Sequence, residues 1–277
     1  MKDFENLLAA MALPDPFYGK VLGESRNRPL TAVLGAQGEG RLAGIPLAQD
    51  AARALGIEGF WKKQTGEQIQ KGEEIARFRG PAESILKLEN LVIGLIAKPS
   101  GIATAAAKAV HAAEGRLRLV SGGWKKHPYA IREMVRQAVT AGGMGQRITD
   151  QPFLYLDKNY VRLFGGIGQT LQAVAAEGAI KVIQVRGEFA PIAEEAREAI
   201  RHGAAVVMVD TGSCEDLDKV LQATKAQRLS SEVQIAFAGG IRIEDIPTLV
   251  RKGVDIADIG AAILDARWLE LSYDVLG

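Results

Sequence analysis

A chain of 277 residues, 47% hydrophobic and 24% charged, has the composition of a globular protein with enough length to bury a sizeable core in two domains. Its 34 Lys and Arg against 33 Asp and Glu give a net charge of +1, so no global field draws it to nucleic acid or to an acidic membrane. The one cysteine, Cys214, excludes an internal disulfide, Met1 to Met11 lacks the features of a signal peptide, and the most apolar stretch, Leu91 to Ala97, is far shorter than the roughly 20 residues of a bilayer span; the expectation is a cytoplasmic protein with no membrane partner.

Between Pro14 and Gly80 short segments are punctuated by Gly and Pro without a βα period, which predicts a small α+β domain. Within it, Thr65 to Ala76 has the Gly-punctuated look of half a lipoyl or biotinyl carrier. It carries no Met-Lys-Met or similar attachment tip, so a plain hairpin is predicted. A long helix over Pro81 to Ala112 links the domains, interrupted at Ser100-Gly101-Ile102-Ala103-Thr104 by small residues that let another backbone approach.

From about residue 115 one phrase repeats: a β-branched run, a Gly-containing loop, an amphipathic helix and a glycine that ends it. Six strands are predicted, at Leu117 to Val120, Phe153 to Leu156, Val182 to Val185, Ala205 to Val209, Val233 to Phe237 and Ile256 to Ile259. Helix-ending glycines at Gly178, Gly203 and Gly253 keep the phase, which passes Arg228 to Ser231 without a glycine. Ser213 and Asp216 have the spacing of a capping box, and Pro191 opens the helix after Gly187. Strands apolar on both faces, alternating with helices, imply a parallel sheet covered on both sides, and the barrel is favoured over the open doubly wound sheet. The fold class is therefore α/β, an incomplete parallel βα barrel of about six strands (109–277) preceded by a smaller α+β open-sandwich domain with its linking helix (1–108).

Gly239-Gly240, between a strand and the helix starting near Ile243, offers bare backbone N–H groups at a helix start, and Gly260-Ala261-Ala262 follows the neighbouring strand. Either the glycines make tight turns or, together, they hold a phosphate. Asp210 ends the strand Val206 to Val209, where barrel catalytic groups sit, and could equally cap the next helix. Lys125, Lys126 and His127 follow the first strand and gather positive charge, as an anion site or as a solvated surface. Gly166-Ile167-Gly168 lacks the third glycine of a dinucleotide fingerprint and starts a helix instead. His111, His127, His202 and Cys214 show no metal-ligand spacing, and no nucleophile elbow is present.

These residues resemble the quinolinate phosphoribosyltransferase family over most of the chain. The likeness rests on Ala43-Gly44-Ile45-Pro46-Leu47, Ser100-Gly101-Ile102-Ala103-Thr104, Val209-Asp210, Ala238-Gly239-Gly240-Ile241, and Gly253-Val254-Asp255-Ile256 with Gly260-Ala261. It implies an N-terminal open sandwich, a six-stranded incomplete barrel, and a homodimer whose site borrows residues from the partner. It also implies magnesium-assisted transfer of phosphoribose from phosphoribosyl pyrophosphate to the ring nitrogen of quinolinate, with release of carbon dioxide and pyrophosphate. By the same resemblance, Gly239, Gly240, Gly260 and Ala261 hold the 5-phosphate, Asp210 positions ribose and metal, and Lys125 and Arg147 face anions. The acceptor end departs from the family pattern. The family's Glu-Arg pair is Glu89-Asn90 here, and its Thr-Arg-Lys-Thr-Thr-Pro-Gly loop is Gly123-Trp124-Lys125-Lys126-His127-Pro128-Tyr129. Asn-His-Arg reads Gly145-Gln146-Arg147, Lys-Asp-Asn-His reads Asp157-Lys158-Asn159-Tyr160, and Glu-Val-Glu reads Gln184-Val185-Arg186. Read as strand neighbours, Asp157 and Lys158 exchange the charge shown to the barrel mouth. Asn90, Trp124, Lys126, His127, Asp157, Lys158 and Gln184 then form the substrate pocket. Neither Asn nor Trp replaces a bidentate arginine fork, and Trp124 could stack on a ring or merely fill space. The acceptor is accordingly quinolinate or a related nitrogen heterocycle; the alternative is a non-catalytic relative that kept the phosphate loops and lost the chemistry.

Overall fold

The computed structural model describes residues 16–230 and 232–276. Met1 to Met11, read above for its lack of a leader, lies outside them, as do Ser231 and the side chains just before it where the repeat passes without a glycine. The chain forms two compact units: one holds the residues up to Ala107, Trp124–Gly143 and those from Ile263 onward, and the other holds Lys108–Gly123 and Met144–Ala262.

In the first unit, β1 (Pro29–Ala36), β3 (Glu58–Trp61), β5 (Glu74–Pro81) and β12 (Leu271–Leu276) form an antiparallel sheet in the order β12-β1-β5-β3. The buried face of that sheet packs Phe78 edge-on to Trp61, at 5.3 Å between centroids, and stacked on Tyr273 at 5.9 Å. Two short strands, β2 (Gly40–Arg41) and β4 (Gln68–Ile69), pair with each other. The expected hairpin over Thr65 to Ala76 is therefore not one: β4 pairs with β2, while β5 pairs with β1 and β3.

The helix Ala82–Ala113 runs unbroken past Ser100–Thr104, with Pro99 inside it. Helix-compatible Ala and Ile follow the small residues, so the ladder continues. The close backbone approach is nonetheless present, because a Cβ on Gly101 would lie 2.0 Å from the carbonyl oxygen of Arg267. Ser100 is fully buried and its Oγ accepts from Ala43 N at 2.9 Å. Gly44, at φ 83°, leaves room only for hydrogen, since a Cβ there would meet Leu95 O at 1.9 Å. By length and composition this helix could cross a bilayer, contrary to the seven-residue estimate from Leu91 to Ala97, because its Gly, Ala, Pro and Ser extend the apolar run while adding few charges; 61% of that apolar window is buried inside the protein.

In the second unit, β6 (Arg118–Val120), β7 (Phe153–Leu156), β8 (Ile180–Val185), β9 (Val206–Val209), β10 (Gln234–Ala238) and β11 (Ile256–Asp258) form one parallel sheet ordered β6-β11-β10-β9-β8-β7. All six predicted strands are present, and β6 and β7 remain its two edges, as an incomplete barrel requires. Alternate residues fill one face: Val120, Val182, Val206, Met208, Ala236, Ala238 and Ile256 form one cluster with Phe153 and Tyr155 against it. The opposite set, including Ile183, Val185, Val207, Val209 and Ile235, is buried too, which is why the strands read as continuous apolar runs.

Helix ends follow the expected chemistry with one exception. Gly203 and Gly253 close the helices Ile192–Arg201 and Ile246–Lys252 at φ 83° and 74°. Gly178 ends none, because the helix Ile167–Ala173 stops at Val174 and a turn separates it from the glycine. Ser213 Oγ accepts from Asp216 N at 3.2 Å and opens the helix Cys214–Ser230. Pro191 is the N-cap of the helix that it was expected to open.

Candidate active site

Period-two alternation carries the inner face of the parallel sheet up to its carboxyl end, where apolar residues give way to polar ones. Two residues beyond Val182 stands Gln184, two beyond Met208 stands Asp210, two beyond Ile256 stands Asp258, and two beyond Phe153 stands Tyr155. The register pairs Gln184 with Met208 and Ala238 with Asp258, so these groups crown adjacent strands.

Gln184 ties them together. Its Oε1 accepts from Lys158 N at 2.9 Å, which turns its Nε2 to donate to Tyr155 Oη at 3.0 Å and to Asp210 Oδ2 at 3.1 Å. Arg186, on the same face two residues further, places Nη1 3.0 Å from Asp210 Oδ2 and also donates to the Asp210 main-chain oxygen. Its Nε stands 3.5 Å from Glu188 Oε1. Glu188 is held below the usual carboxylate range chiefly by its bidentate pair with Arg162, both contacts 2.8 Å. Burial pushes the Tyr155 phenol above its ordinary value against the lowering hydrogen bond from Gln184; the nearby Asp258, Asp210 and Asp157 charges push the same way as burial.

The loop that carries Arg186 is fixed from beneath by one buried carboxylate. Glu195, 2% exposed on the helix Ile192–Arg201, accepts from the backbone N–H groups of Arg186 (3.0 Å), Gly187 (2.8 Å), Phe189 (2.9 Å) and Ala190 (3.5 Å). Four converging donors satisfy a charge that would otherwise be costly to bury.

On the adjoining loops, Gly212 and Gly239 pack backbone to backbone. Gly212 N donates to Ala238 O at 3.1 Å, and a Cβ on Gly212 would lie 2.5 Å from Gly239 O. With φ at 69° and 109°, both positions need glycine for conformation as well as for space. Gly240 (φ 70°) and Gly260 face open space. The expected helix start near Ile243 is a 3-10 turn, Ile243–Asp245, leading into the helix Ile246–Lys252.

Of the residues singled out from sequence, the structure brings Gln184 and Asp210 into direct contact and places Gly239, Gly240, Gly260 and Ala261 just beyond the carboxyl ends of β10 and β11. Asp157 is corrected: it lies beyond β7 and is the N-cap of the helix Lys158–Phe164, accepting from Asn159 N at 2.8 Å and Tyr160 N at 3.4 Å. Strand alternation therefore does not govern Asp157 and Lys158, and Lys158 enters the network through its backbone N–H while its side chain is exposed. Arg147 stacks over the Phe153 ring at 4.9 Å, with no hydrogen bond to Gln184 or Asp210. Trp124, Lys125, Lys126, His127 and Asn90 belong to the first unit. There Arg136 lies over the Trp124 ring at 5.0 Å, Arg132 binds the backbone oxygens of Lys125 and His127, and Asn90 donates to Tyr18 Oη at 3.2 Å. Sequence reasoning passed over Tyr155, Arg186 and Asp258 as site members, although the two-residue alternation that selects Gln184 and Asp210 also selects them.

Magnesium does not fit the donors around Asp210. Among the described residues no group of three or more His, Cys, Asp or Glu could hold a metal ion. Asp210 Oδ2 already faces a guanidinium, and a dication about 4 Å from that charge would be opposed by roughly 8 kcal/mol at an effective dielectric of 20.

Fold and site together define a two-unit α/β protein whose candidate functional groups gather at the carboxyl edge of its six-stranded parallel sheet. The models of the quinolinate phosphoribosyl transferase N-terminal and C-terminal domains match residues 17–100 and 102–274. The chain belongs to the quinolinate phosphoribosyltransferase family. It is 29% identical over 252 residues to human nicotinate-nucleotide pyrophosphorylase [carboxylating], covering 88% of this chain and 82% of the relative. It is 28% identical over 252 residues to the probable Archaeoglobus fulgidus counterpart, covering 90% and 96%. The nicotinate-nucleotide pyrophosphorylase of Francisella tularensis superimposes with a TM-score of 0.83 at 23% identity, over 99% of this chain and 95% of that one, and NadC of Streptococcus pyogenes with 0.81 at 19%, over 99% and 98%. These structural likenesses establish the fold.

Proposed function

We propose that the chain transfers phosphoribose from phosphoribosyl pyrophosphate to the ring nitrogen of quinolinate or a related nitrogen heterocycle, as in NAD biosynthesis. The observation that carries this reading is that both family models match, in order, over nearly the whole chain, with Asp210, Gly239-Gly240 and Gly260 following three neighbouring strands of the sheet. The ring nitrogen's lone pair forms the bond to ribose C1 as the C1–O bond breaks, and that bond's electron pair leaves with pyrophosphate. With quinolinate, the carboxylate beside the nitrogen then departs as carbon dioxide, leaving its bonding pair on the ring carbon, which takes up a proton from water.

The chain's part is positioning and charge stabilisation. Backbone N–H groups at Gly239, Gly240, Gly260 and Ala261 receive the 5-phosphate, and Asp210 accepts from the ribose hydroxyls. Lys125 and Arg147 are anion contacts, and Asn90, Trp124, Lys126 and His127 are acceptor contacts, in the same proposal. It also takes the protein as a cytoplasmic homodimer and assigns magnesium to the departing pyrophosphate, not to the protein or to substrate binding, as suits an ion that keeps several of its waters.

The test is pyrophosphate release with quinolinate, nicotinate and other nitrogen heterocycles, with the mononucleotide identified by mass. Release with at least one ring, lowered a hundredfold or more by Asp210→Ala, is expected. Equal turnover by the variant would show that the pocket is wrongly assigned.

A further inference from the structure

We propose that Arg186 takes the place of a divalent cation beside Asp210 and meets an anionic oxygen of the ligand there, so that this sheet end binds its phosphorylated ligand without a protein-held metal. The inference rests on the reading of the ligand given above. Asp210 Oδ2 receives Arg186 Nη1 at 3.0 Å and Gln184 Nε2 at 3.1 Å. The amide is not free to turn its oxygen toward a metal, because Oε1 is held by Lys158 N. A carboxamide and a guanidinium, both donors, thus flank the Asp210 carboxylate at Oδ2. A metal site asks for oxygen acceptors at those positions.

The guanidinium is also built as a receiver. Glu195 pins its backbone, Asp210 and Glu188 hold two of its nitrogens, and Nη2 has no hydrogen-bond partner among the described residues. The Arg186 side chain remains 33% exposed, enough for an incoming oxygen to reach that nitrogen. A planar fork with a free N–H pair suits a phosphate or pyrophosphate oxygen, and it carries permanently the positive charge that an ion would otherwise bring.

Two measurements decide the matter. Manganese titrated into the full-length protein, with free ion followed by electron paramagnetic resonance, should show no stoichiometric binding. The double variant Gln184→Glu/Arg186→Glu should gain one site and lose it again on adding Asp210→Asn. Stoichiometric manganese binding by the unaltered protein, abolished by Asp210→Asn, would overturn the proposal. In calorimetry, the Kd for phosphoribosyl pyrophosphate should differ less than threefold between EDTA and magnesium, while Arg186→Gln weakens binding in EDTA tenfold or more. Binding that needs magnesium and ignores Arg186→Gln would also overturn it. Absence of phosphoribosyl pyrophosphate binding under every condition would instead remove the transferase reading, with the manganese titration still deciding the cation question.

Discussion

The guanidinium of Arg186 and the carboxylate of Asp210 stand 3.0 Å apart at the carboxyl ends of adjacent strands, each about 30% exposed. Asp210 therefore carries its counterion with it, and Gln184 adds a neutral donor on the same oxygen.

Exchanging that donor for a charge should be felt. Gln184→Glu sets a second carboxylate beside Asp210 and takes the hydrogen bond from Tyr155, for an expected loss of about 1–3 kcal/mol at neutral pH. Like charges raise the folded pKa of one carboxyl group, so the folded form binds the extra proton more tightly and the loss shrinks as pH falls toward 5. Thermal unfolding from pH 8 to 5 measures this; a loss that does not vary with pH would show that the two groups do not interact.

Glu195→Gln leaves one acceptor oxygen for four backbone donors and turns an amide N–H₂ toward them. The expected cost is about 2 kcal/mol, with faster hydrogen exchange at the amides of Arg186, Gly187 and Phe189. Unchanged exchange there would contradict the role given to Glu195.

Gly260 separates folding from binding. A Cβ there meets nothing within 4 Å and its φ is not left-handed, so Gly260→Ala should leave the melting temperature within about 2 °C while weakening phosphoribosyl pyrophosphate binding about tenfold, or about 1.4 kcal/mol. Gly212→Ala, by contrast, drives a methyl group to 2.5 Å from Gly239 O and should cost at least about 2 kcal/mol of stability. Equal unfolding losses in the two variants would refute the distinction.

In the antiparallel sheet, Glu74 is lowered from 4.5 to about 2 by hydrogen bonds from Arg77 and Lys62. A depressed folded pKa stabilises above the unfolded value, and the contribution is lost as pH falls from about 4.5 to about 2. With partners nearly half exposed, screening leaves about 1 kcal/mol, so Glu74→Gln should lower the melting temperature by about 2–4 °C at pH 7 and converge with the parent near pH 2. Parallel curves at all pH values would contradict it.

The six parallel strands were legible because burial on both faces writes each as an uninterrupted apolar run. β12 was not: Leu271–Leu276 is a short alternating edge strand whose last three residues are exposed, and it finds its partner β1 some 240 residues earlier in the chain. The family likeness was carried largely by packing residues, since Gly44, Ser100 and Gly101 serve close backbone approach in the first unit. Asp157 was misplaced because an acidic residue after an apolar run looks the same whether it ends a strand or caps the next helix; only the donors it accepts from tell them apart. Arg186 was visible as a departure from a motif, but its partner, 24 residues away on the next strand, is a matter of sheet register.

The central claim is that this sheet end binds phosphoribosyl pyrophosphate and passes its phosphoribose to a ring nitrogen. The most direct test is calorimetric titration of phosphoribosyl pyrophosphate into the purified protein, repeated with Gly260→Ala and followed by pyrophosphate release in the presence of nitrogen heterocycles. Saturable binding, weakened by the substitution and accompanied by release with at least one heterocycle, is the predicted result; no binding, or binding without release for any ring, would contradict it.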